Sequence, residues 1–266
     1  MHLDMPDAPA DPKAQNAADR RRLATAIKLS LAFVALLAVM FGVQGMLDWR
    51  AFAIAPHSPQ GLIGVLTAPL LHGSPKHLIA NASALLVLGT LAFAVYPRAS
   101  LRALPLMWLG AGLAAWWLGD PGSRHLGASG VTHGLMFLVF VLGLLRRDRP
   151  SIAAGMIAFF FYGGMLLTIL PQEPGVSWQS HLGGAVGGIV AAWLFRRSDP
   201  QAPRRRYSWE LEEEEAQAET AGRDDVFEPP SPREVPVLWR REPEPRGAVL
   251  EFPRARRDRD RDDPSP

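Results

Sequence analysis

Long apolar blocks alternate with short polar segments over the first 197 residues, and the lengths of the blocks indicate the fold class. A helix needs about 20 mostly apolar residues to cross the ~30 Å hydrocarbon core of a bilayer. Six blocks have about that length, so the pattern predicts an all-α bundle of six transmembrane helices. The predicted spans are 29–47, 77–96, 103–119, 127–145, 151–170 and 178–195.

The segments on either side of this bundle are polar. Residues 1–28 end in a basic cluster, and we expect them to form a disordered cytoplasmic N-terminal segment. Residues 198–266 are rich in Pro, Arg, Glu and Asp, and such a segment buries too little apolar surface to fold alone. The sequence therefore predicts a membrane domain over 29–197 and a disordered cytoplasmic tail, with a short helix near 208–219.

Basic residues indicate the orientation of the bundle, because Arg and Lys in short loops are retained on the cytoplasmic side. Clusters near 20–28, 98–102, 146–149 and 196–197 fall on one side of the six alternating spans, and the opposite loops contain few. We therefore expect both termini in the cytoplasm. Arg greatly outnumbers Lys, as in GC-rich genomes, which favours a bacterial plasma membrane.

Charge and cysteine content exclude several functions. The net charge of +2 is too small to indicate nucleic-acid binding, and the basic residues flank apolar blocks instead of forming a stripe. Cysteine is absent, which excludes disulfides, a thiol nucleophile and a thiolate metal site. The partner that the composition does indicate is the lipid bilayer.

Three spans carry polar side chains near their outer ends, where polar groups at membrane depth are functional candidates. The second span has His77 and Asn81, the fourth has Ser129 and His133, and the sixth has His181. Even-numbered spans all begin on the outer side if the N-terminus is cytoplasmic. These side chains are therefore expected to share one depth.

Glycines predict that the fourth and sixth spans approach each other closely. They recur at four-residue spacing on both spans, and such small-residue faces let helix backbones come into contact. These glycines are Gly130, Gly134, Gly184 and Gly188. At that separation, a serine hydroxyl on one span can reach an imidazole on the other.

A hydroxyl paired with an imidazole suits nucleophilic hydrolysis. Serine is a weak nucleophile until a base takes its proton, and imidazole exchanges protons near neutral pH. We therefore expect Ser129 to be the nucleophile and His181 its general base. The oxyanion that forms needs hydrogen-bond donors, for which Asn81, His77 and the Ser129 backbone N–H are candidates.

Taken together, these residues closely resemble the motifs of rhomboid intramembrane serine proteases. The motifs are His72, His77 and Asn81 in that order, Gly127-x-Ser129-Gly130, and His181-x-x-Gly184-x-x-x-Gly188, within residues 28–197. The resemblance implies a Ser129–His181 dyad without an acidic third member. It also implies an oxyanion hole lined by Asn81 and His77, and a structural role for His72. The implied substrates are single-span transmembrane proteins cut after a small residue, and no metal or organic cofactor is implied.

This chain departs from the family pattern at two places. Many rhomboids carry Trp-Arg in the first outer loop, where this chain has Ile63 and Gly64, so we expect the loop to be anchored differently. The residue one turn after the serine is usually an aromatic that packs against the catalytic histidine. Here it is His133, whose imidazole can stack in the same way but can also take a proton. We expect His57 and His125 to lie in solvated loops.

Other classes of membrane protein fit less well. A zinc protease needs H-E-x-x-H, but no glutamate follows His77, and an intramembrane aspartyl protease needs two facing aspartates within spans. A carrier in which His77, His133 and His181 bind a cation would lack carboxylates in its spans. The stronger alternative is a catalytically inactive rhomboid-like protein that binds membrane helices. The intact Ser129 and His181 argue against it.

Overall fold

The computed structural model describes residues 12–171, 175–201 and 208–221. This part of the chain is all-α, as predicted, with one isolated β-bridge between Ile54 and His125. A π-helical turn over Leu85–Gly89 joins the helices Pro75–Ala84 and Thr90–Val95, and a 3-10 turn over Gly163–Ile169 continues the helix Arg149–Tyr162. The α-helices are α1 (Pro12–Gln44), α2 (Ile63–Thr67), α3 (Pro75–Ala84), α4 (Thr90–Val95), α5 (Pro97–Leu118), α6 (Ser129–Arg146), α7 (Arg149–Tyr162), α8 (Trp178–Phe195) and α9 (Ser208–Ala221).

Within the ranges that the structure describes, five helical segments are long and apolar enough to cross a membrane. They are Lys13–Gln44, Pro75–Val95, Pro97–Leu118, Ser129–Arg146 and Arg149–Ile169, and they coincide with the first five predicted spans. The sixth predicted span coincides with α8, whose polar first turn and repeated glycines lower its mean hydropathy. The count of six spans therefore stays a prediction.

The first helix begins earlier than predicted. α1 starts at Pro12, so the expected disorder of residues 12–28 is wrong, and residues 1–11 lie outside the described part of the chain. Proline is favoured at the first position of a helix. The residues that follow it are mostly Ala, Arg, Lys and Gln, which favour helix, and they include no Gly or further Pro.

Backbone contact joins α8 to α6. A Cβ atom added at Gly184 would meet the carbonyl oxygen of Gly130, and one added at Gly188 would meet that of Gly134. Only glycine permits an approach this close, because any larger residue would push the two helices apart. The starts of α6 and α8 are therefore held next to each other.

The opposite side of α8 contacts α5 in the same way. A Cβ atom at Gly183 would meet the carbonyl oxygen of Gly110, and one at Gly187 would lie 2.6 Å from the carbonyl oxygen of Leu106. The glycine run of α8 thus packs against two neighbouring helices at once. As a result, α8 lies between α5 and α6 with almost no side chains separating the backbones.

Asp199 lies beyond the predicted end of the membrane domain, yet it is only 5% exposed. Its carboxylate accepts the backbone N–H groups of Arg98 and Ala99, both at 2.9 Å, and so caps the first turn of α5. The guanidinium of Arg146 donates to the carbonyl oxygens of Asp199 and Pro200, at 2.8 and 2.7 Å. The packed unit therefore extends to Pro200 instead of ending at residue 197.

The loop between α1 and α3 packs on α5. The indole N–H of Trp108 donates to the carbonyl oxygen of Leu66 at 3.2 Å. The indole N–H of Trp116 donates to the carbonyl oxygen of Ser58 at 2.9 Å. Gly64 lies against the backbone of its own loop, where a Cβ atom has no space. Two tryptophans of α5 and close backbone packing thus anchor the loop, in which Ile63 and Gly64 replace the Trp-Arg of many rhomboids.

Helix α9 belongs to a separate unit, Tyr207–Pro266, of which the structure describes Ser208–Ala221. The short helix expected near 208–219 is confirmed. Residues 202–207 and 222–266 of the predicted tail lie outside the described residues.

Candidate active site

The starts of α6 and α8 bring a serine and a histidine together. Ser129 is the first residue of α6, and His181 lies in the first turn of α8. Ser129 Oγ is 2.9 Å from His181 Nε2, within hydrogen-bond distance, although the two residues are 52 apart in the chain. His181 is only 6% exposed, whereas Ser129 is half-buried.

The imidazole of His133 stacks on that of His181. Their ring centroids are 3.8 Å apart, and the ring planes differ by 11°. His133 Nδ1 lies 2.7 Å from the carbonyl oxygen of Ser129, one turn earlier in α6, and His133 Nε2 lies 2.8 Å from Thr168 Oγ1. His133 thus occupies the position expected for an aromatic residue, and it also forms hydrogen bonds at both nitrogens.

Thr168 contacts both imidazoles and was not singled out from the sequence. Its carbonyl oxygen lies 3.0 Å from His181 Nδ1, and its hydroxyl lies 2.8 Å from His133 Nε2. It belongs to the 3-10 turn Gly163–Ile169 that continues α7. A signal was present, because Thr168 is the one polar side chain in the apolar run 163–170, near the outer end of the fifth predicted span.

Asn81 and His77 lie on α3 next to the segment that leads into Ser129. Gly127 has a φ of +113°, a conformation that other residues rarely adopt, and a Cβ atom there would meet the ring of His77. A Cβ atom at Gly127 would also lie 3.6 Å from Asn81 Nδ2. This amide nitrogen is buried and has no hydrogen-bond partner among the described residues.

His72 is completely buried beside His77, with ring centroids 5.2 Å apart. Its backbone N–H and carbonyl oxygen both pair with the side-chain amide of Gln44, at 3.1 and 2.6 Å, which ties the loop to the end of α1. Burial, and next the neighbouring His77, lower the pKa of His72 to about 4. His72 does not line the cavity at Ser129.

His125 links the loop before α6 to the start of α8. Its Nδ1 lies 2.7 Å from Ser177 Oγ and its Nε2 lies 2.9 Å from Ser123 Oγ, while Ser177 Oγ also accepts the Ser180 N–H that caps α8. The expectation that His125 is solvated is wrong, because it is only 9% exposed. Burial lowers the pKa of His125, against the opposing effect of Asp120. The other loop histidine, His57, is exposed, as expected.

A cavity of about 1170 Å³ lies at the end of the bundle where α3, α6 and α8 begin. Its lining includes Ser129, His181, Asn81, His77, His133 and Thr168. Three separate helices and the 3-10 turn after α7 thus supply polar groups to one space. The cavity can admit an extended segment of polypeptide.

A cation site is not formed by the histidines of this cavity. His133 and His181 stack face to face, and both nitrogens of His133 pair with Ser129 and Thr168 instead of pointing at a common centre. Among the residues that the structure describes, no group of three or more His, Cys, Asp or Glu is arranged to hold a metal ion.

Comparison with known proteins gives a consistent result. Residues 59–198 match the Rhomboid domain model. The chain is 40% identical over 186 residues to an uncharacterized protein of Mycobacterium tuberculosis, covering 66% of this chain and 75% of that protein. An uncharacterized protein of Mycobacterium leprae is 38% identical over 153 residues, covering 54% of this chain and 59% of its own length.

The Rhomboid match spans more than half of the chain and includes α3, α6 and α8, the helices that line the cavity. Rhomboid proteins are generally intramembrane serine proteases. The apolar helices of the described ranges agree with an integral membrane protein. This chain is an integral membrane protein of the rhomboid family.

Proposed function

We propose that the protein is an intramembrane serine protease that cleaves transmembrane proteins through a dyad of Ser129 and His181. The observation that carries the proposal is the 2.9 Å separation of Ser129 Oγ and His181 Nε2 at the edge of a cavity that polar side chains line in part. A nucleophile and a base at this distance are the signature of covalent catalysis.

The proposed reaction runs through an acyl-enzyme. Ser129 Oγ attacks the carbonyl carbon of the scissile peptide as His181 Nε2 takes the hydroxyl proton. The C–N bond then breaks, and the protonated imidazole gives that proton to the leaving amine. In the second half, His181 Nε2 takes a proton from water as the water oxygen attacks the ester carbonyl. The C–O bond to Ser129 then breaks, and the protonated imidazole returns the proton to Ser129 Oγ.

The proposed oxyanion hole has two sources of donors. Ser129 is the first residue of α6, so its backbone N–H belongs to the unpaired donors at the positive end of a helix. Asn81 Nδ2 and the ring of His77 lie beside Gly127, two residues before Ser129. The unpartnered Asn81 amide supports its assignment as a donor to the developing negative oxygen.

The proposed substrates are single-span transmembrane proteins with a small residue before the cut. A transmembrane helix has all its backbone groups paired, so a segment must unwind before its carbonyl can reach Ser129. The cavity contains polar groups that can pair with such an unwound segment. The proposed location is a bacterial plasma membrane with both termini in the cytoplasm, which the distribution of basic residues and the occurrence of relatives in mycobacteria support.

Reconstitution of the purified protein with a single-span substrate tests the proposal. Ser129→Ala and His181→Ala should each abolish cleavage, and the double variant should be no worse than either, because the pair acts as a unit. A fluorophosphonate should label Ser129 in the wild type but not in Ser129→Ala.

The alternative is a rhomboid-like protein that binds membrane helices without cutting them. Robust cleavage by Ser129→Ala, or substrate binding without cleavage or labelling by the wild type, would exclude the proposed protease mechanism. The second result would favour the binding function.

A further inference from the structure

Thr168 is the residue that connects both imidazoles of the site to the 3-10 turn after α7. We propose that Thr168 is a positioning residue, which holds His181 in the tautomer and orientation that a general base needs. The inference rests on the proposed function, because it assigns the third member of the catalytic apparatus. The carbonyl oxygen of Thr168 pairs with His181, and the hydroxyl of Thr168 pairs with His133.

The carbonyl oxygen determines the tautomer of His181. A backbone carbonyl only accepts hydrogen bonds, so His181 Nδ1, at 3.0 Å, carries a proton and donates it to Thr168. In a neutral imidazole the other nitrogen is then unprotonated. His181 Nε2 therefore accepts from the Ser129 hydroxyl, as a general base must.

This arrangement replaces the acidic residue of a catalytic triad. In a triad, a buried carboxylate accepts the Nδ1 proton and orients the base. Here an uncharged carbonyl occupies that position, and it adds no negative charge to a site that is enclosed by apolar helices. The imidazole is oriented without the cost of burying a second ionised group.

The hydroxyl of Thr168 acts through His133. His133 Nδ1 lies 2.7 Å from the carbonyl oxygen of Ser129 and must donate to it, so Nε2 of the neutral ring can only accept. The Thr168 O–H, 2.8 Å from Nε2, is the donor in reach, and the carbonyl oxygen of Met165 at 3.0 Å competes for its proton. The ring is thus fixed at two opposite edges. Because it stacks on His181 at 3.8 Å, it fixes the plane of the catalytic imidazole.

Nitrogen-15 NMR of histidine-labelled protein in detergent tests the carbonyl contact directly. Protonated and unprotonated ring nitrogens have clearly separate shifts, and the chain has seven histidines, so His181→Gln and His133→Phe spectra assign the signals. We expect His181 to carry its proton on Nδ1. A proton on Nε2 of the neutral ring would overturn the assignment. The measurement needs no proteolysis, so it stands even if the proposed activity fails.

Kinetics test the hydroxyl contact. Thr168→Val keeps the branched shape and the backbone carbonyl but removes the hydroxyl, and should lower kcat about tenfold with KM unchanged. Thr168→Ser restores a hydroxyl and should stay within about twofold of the wild type. Fluorophosphonate labelling of Ser129 should slow in parallel with kcat in Thr168→Val.

Thr67→Val is the matched control. Its hydroxyl also pairs with backbone carbonyls, those of Phe52 and Ile63, but it lies in α2 away from the cavity. It should keep the wild-type kcat. Wild-type kcat in Thr168→Val, or an equal loss in Thr168→Val and Thr168→Ser, would overturn the role of the hydroxyl. If the wild type labels at Ser129 but cuts no substrate, the proposed proteolysis fails, while the labelling rates still decide the role of Thr168.

Discussion

Asn81 offers the sharpest test of how single side chains contribute to the site. Its amide nitrogen is buried without a partner in the described part of the chain, so it can donate to the oxyanion without first breaking another hydrogen bond. Asn81→Ala should lower kcat by roughly 10²-fold while the protein stays folded. Ser83→Ala, on the same helix but exposed, should retain wild-type kcat. Unchanged turnover in a folded Asn81→Ala protein would remove Asn81 from the oxyanion hole.

His72 should make stability depend on pH. Its pKa in the folded protein is about 4, below its ordinary value of 6.5, so the unfolded chain takes up the proton first as the pH falls. Stability is therefore fully present above pH 6.5 and is lost towards pH 4, by up to about 1.4 kcal/mol for each pH unit. The melting temperature in detergent should therefore fall less steeply between pH 6.5 and pH 4 in His72→Phe than in the wild type. An equal slope in both proteins would contradict the prediction.

Whether a site residue can be predicted from the sequence depends on the residues around it in the chain. Ser129 and His181 could be predicted because polar side chains stand out in apolar spans and because glycines follow at helical spacing. The contact from Thr168 to His181 could not, since it comes from a carbonyl oxygen that every residue has. Burial of His125 was missed for a related reason, because its partners Ser123 and Ser177 come from two separate loops.

At the scale of elements, the glycines of α8 set the separation of the dyad. Gly184→Ala should cost about 1–3 kcal/mol of stability, because its Cβ atom would meet the carbonyl oxygen of Gly130. It should also lower kcat, since α6 and α8 carry Ser129 and His181. Thermal unfolding and turnover in detergent measure both effects.

Gly42→Ala is the control for this change. Nothing lies within 4 Å of a Cβ atom at Gly42 in α1, so the substitution should be neutral or stabilise the helix by up to about 1 kcal/mol. Equal stability of the Gly184→Ala protein and the wild type would show that α8 can shift without cost.

Most of the helices could be predicted from the sequence because membrane spans are long and apolar. The first five predicted spans coincide with helices long enough to cross a membrane. The early start of α1 was missed, because its polar first half is recognisable by helix propensity and not by hydropathy. The contacts of α8 with α5 were also missed, although Gly183 and Gly187 lie in the same glycine run as Gly184 and Gly188.

At the scale of the whole molecule, the boundary of the membrane domain has a measurable consequence. A chain that ends at Gln201 should keep full activity and stability in detergent, because the packed unit extends to Pro200. A chain that ends at Ser198 loses the Asp199 cap of α5, and should be less stable by about 1–2 kcal/mol. Asp199→Ala in the full-length chain should reproduce this loss. Equal melting temperatures for the two truncated proteins would rule out the cap.

The backbone contacts on both sides of α8 bear on how the protein responds to bilayer thickness. α6 and α8 have 18 residues each, about 27 Å in length, whereas α1 has 33 residues and is about 50 Å long. Hydrophobic mismatch is taken up by helix tilt or by deformation of the surrounding lipid. Because α8 is in backbone contact with both α5 and α6, we expect that adjustment to fall on the other helices and on the lipid, with the Ser129–His181 distance unchanged. We then expect lipid chain length to alter the depth at which a substrate helix meets the site, and not the chemistry of the site itself.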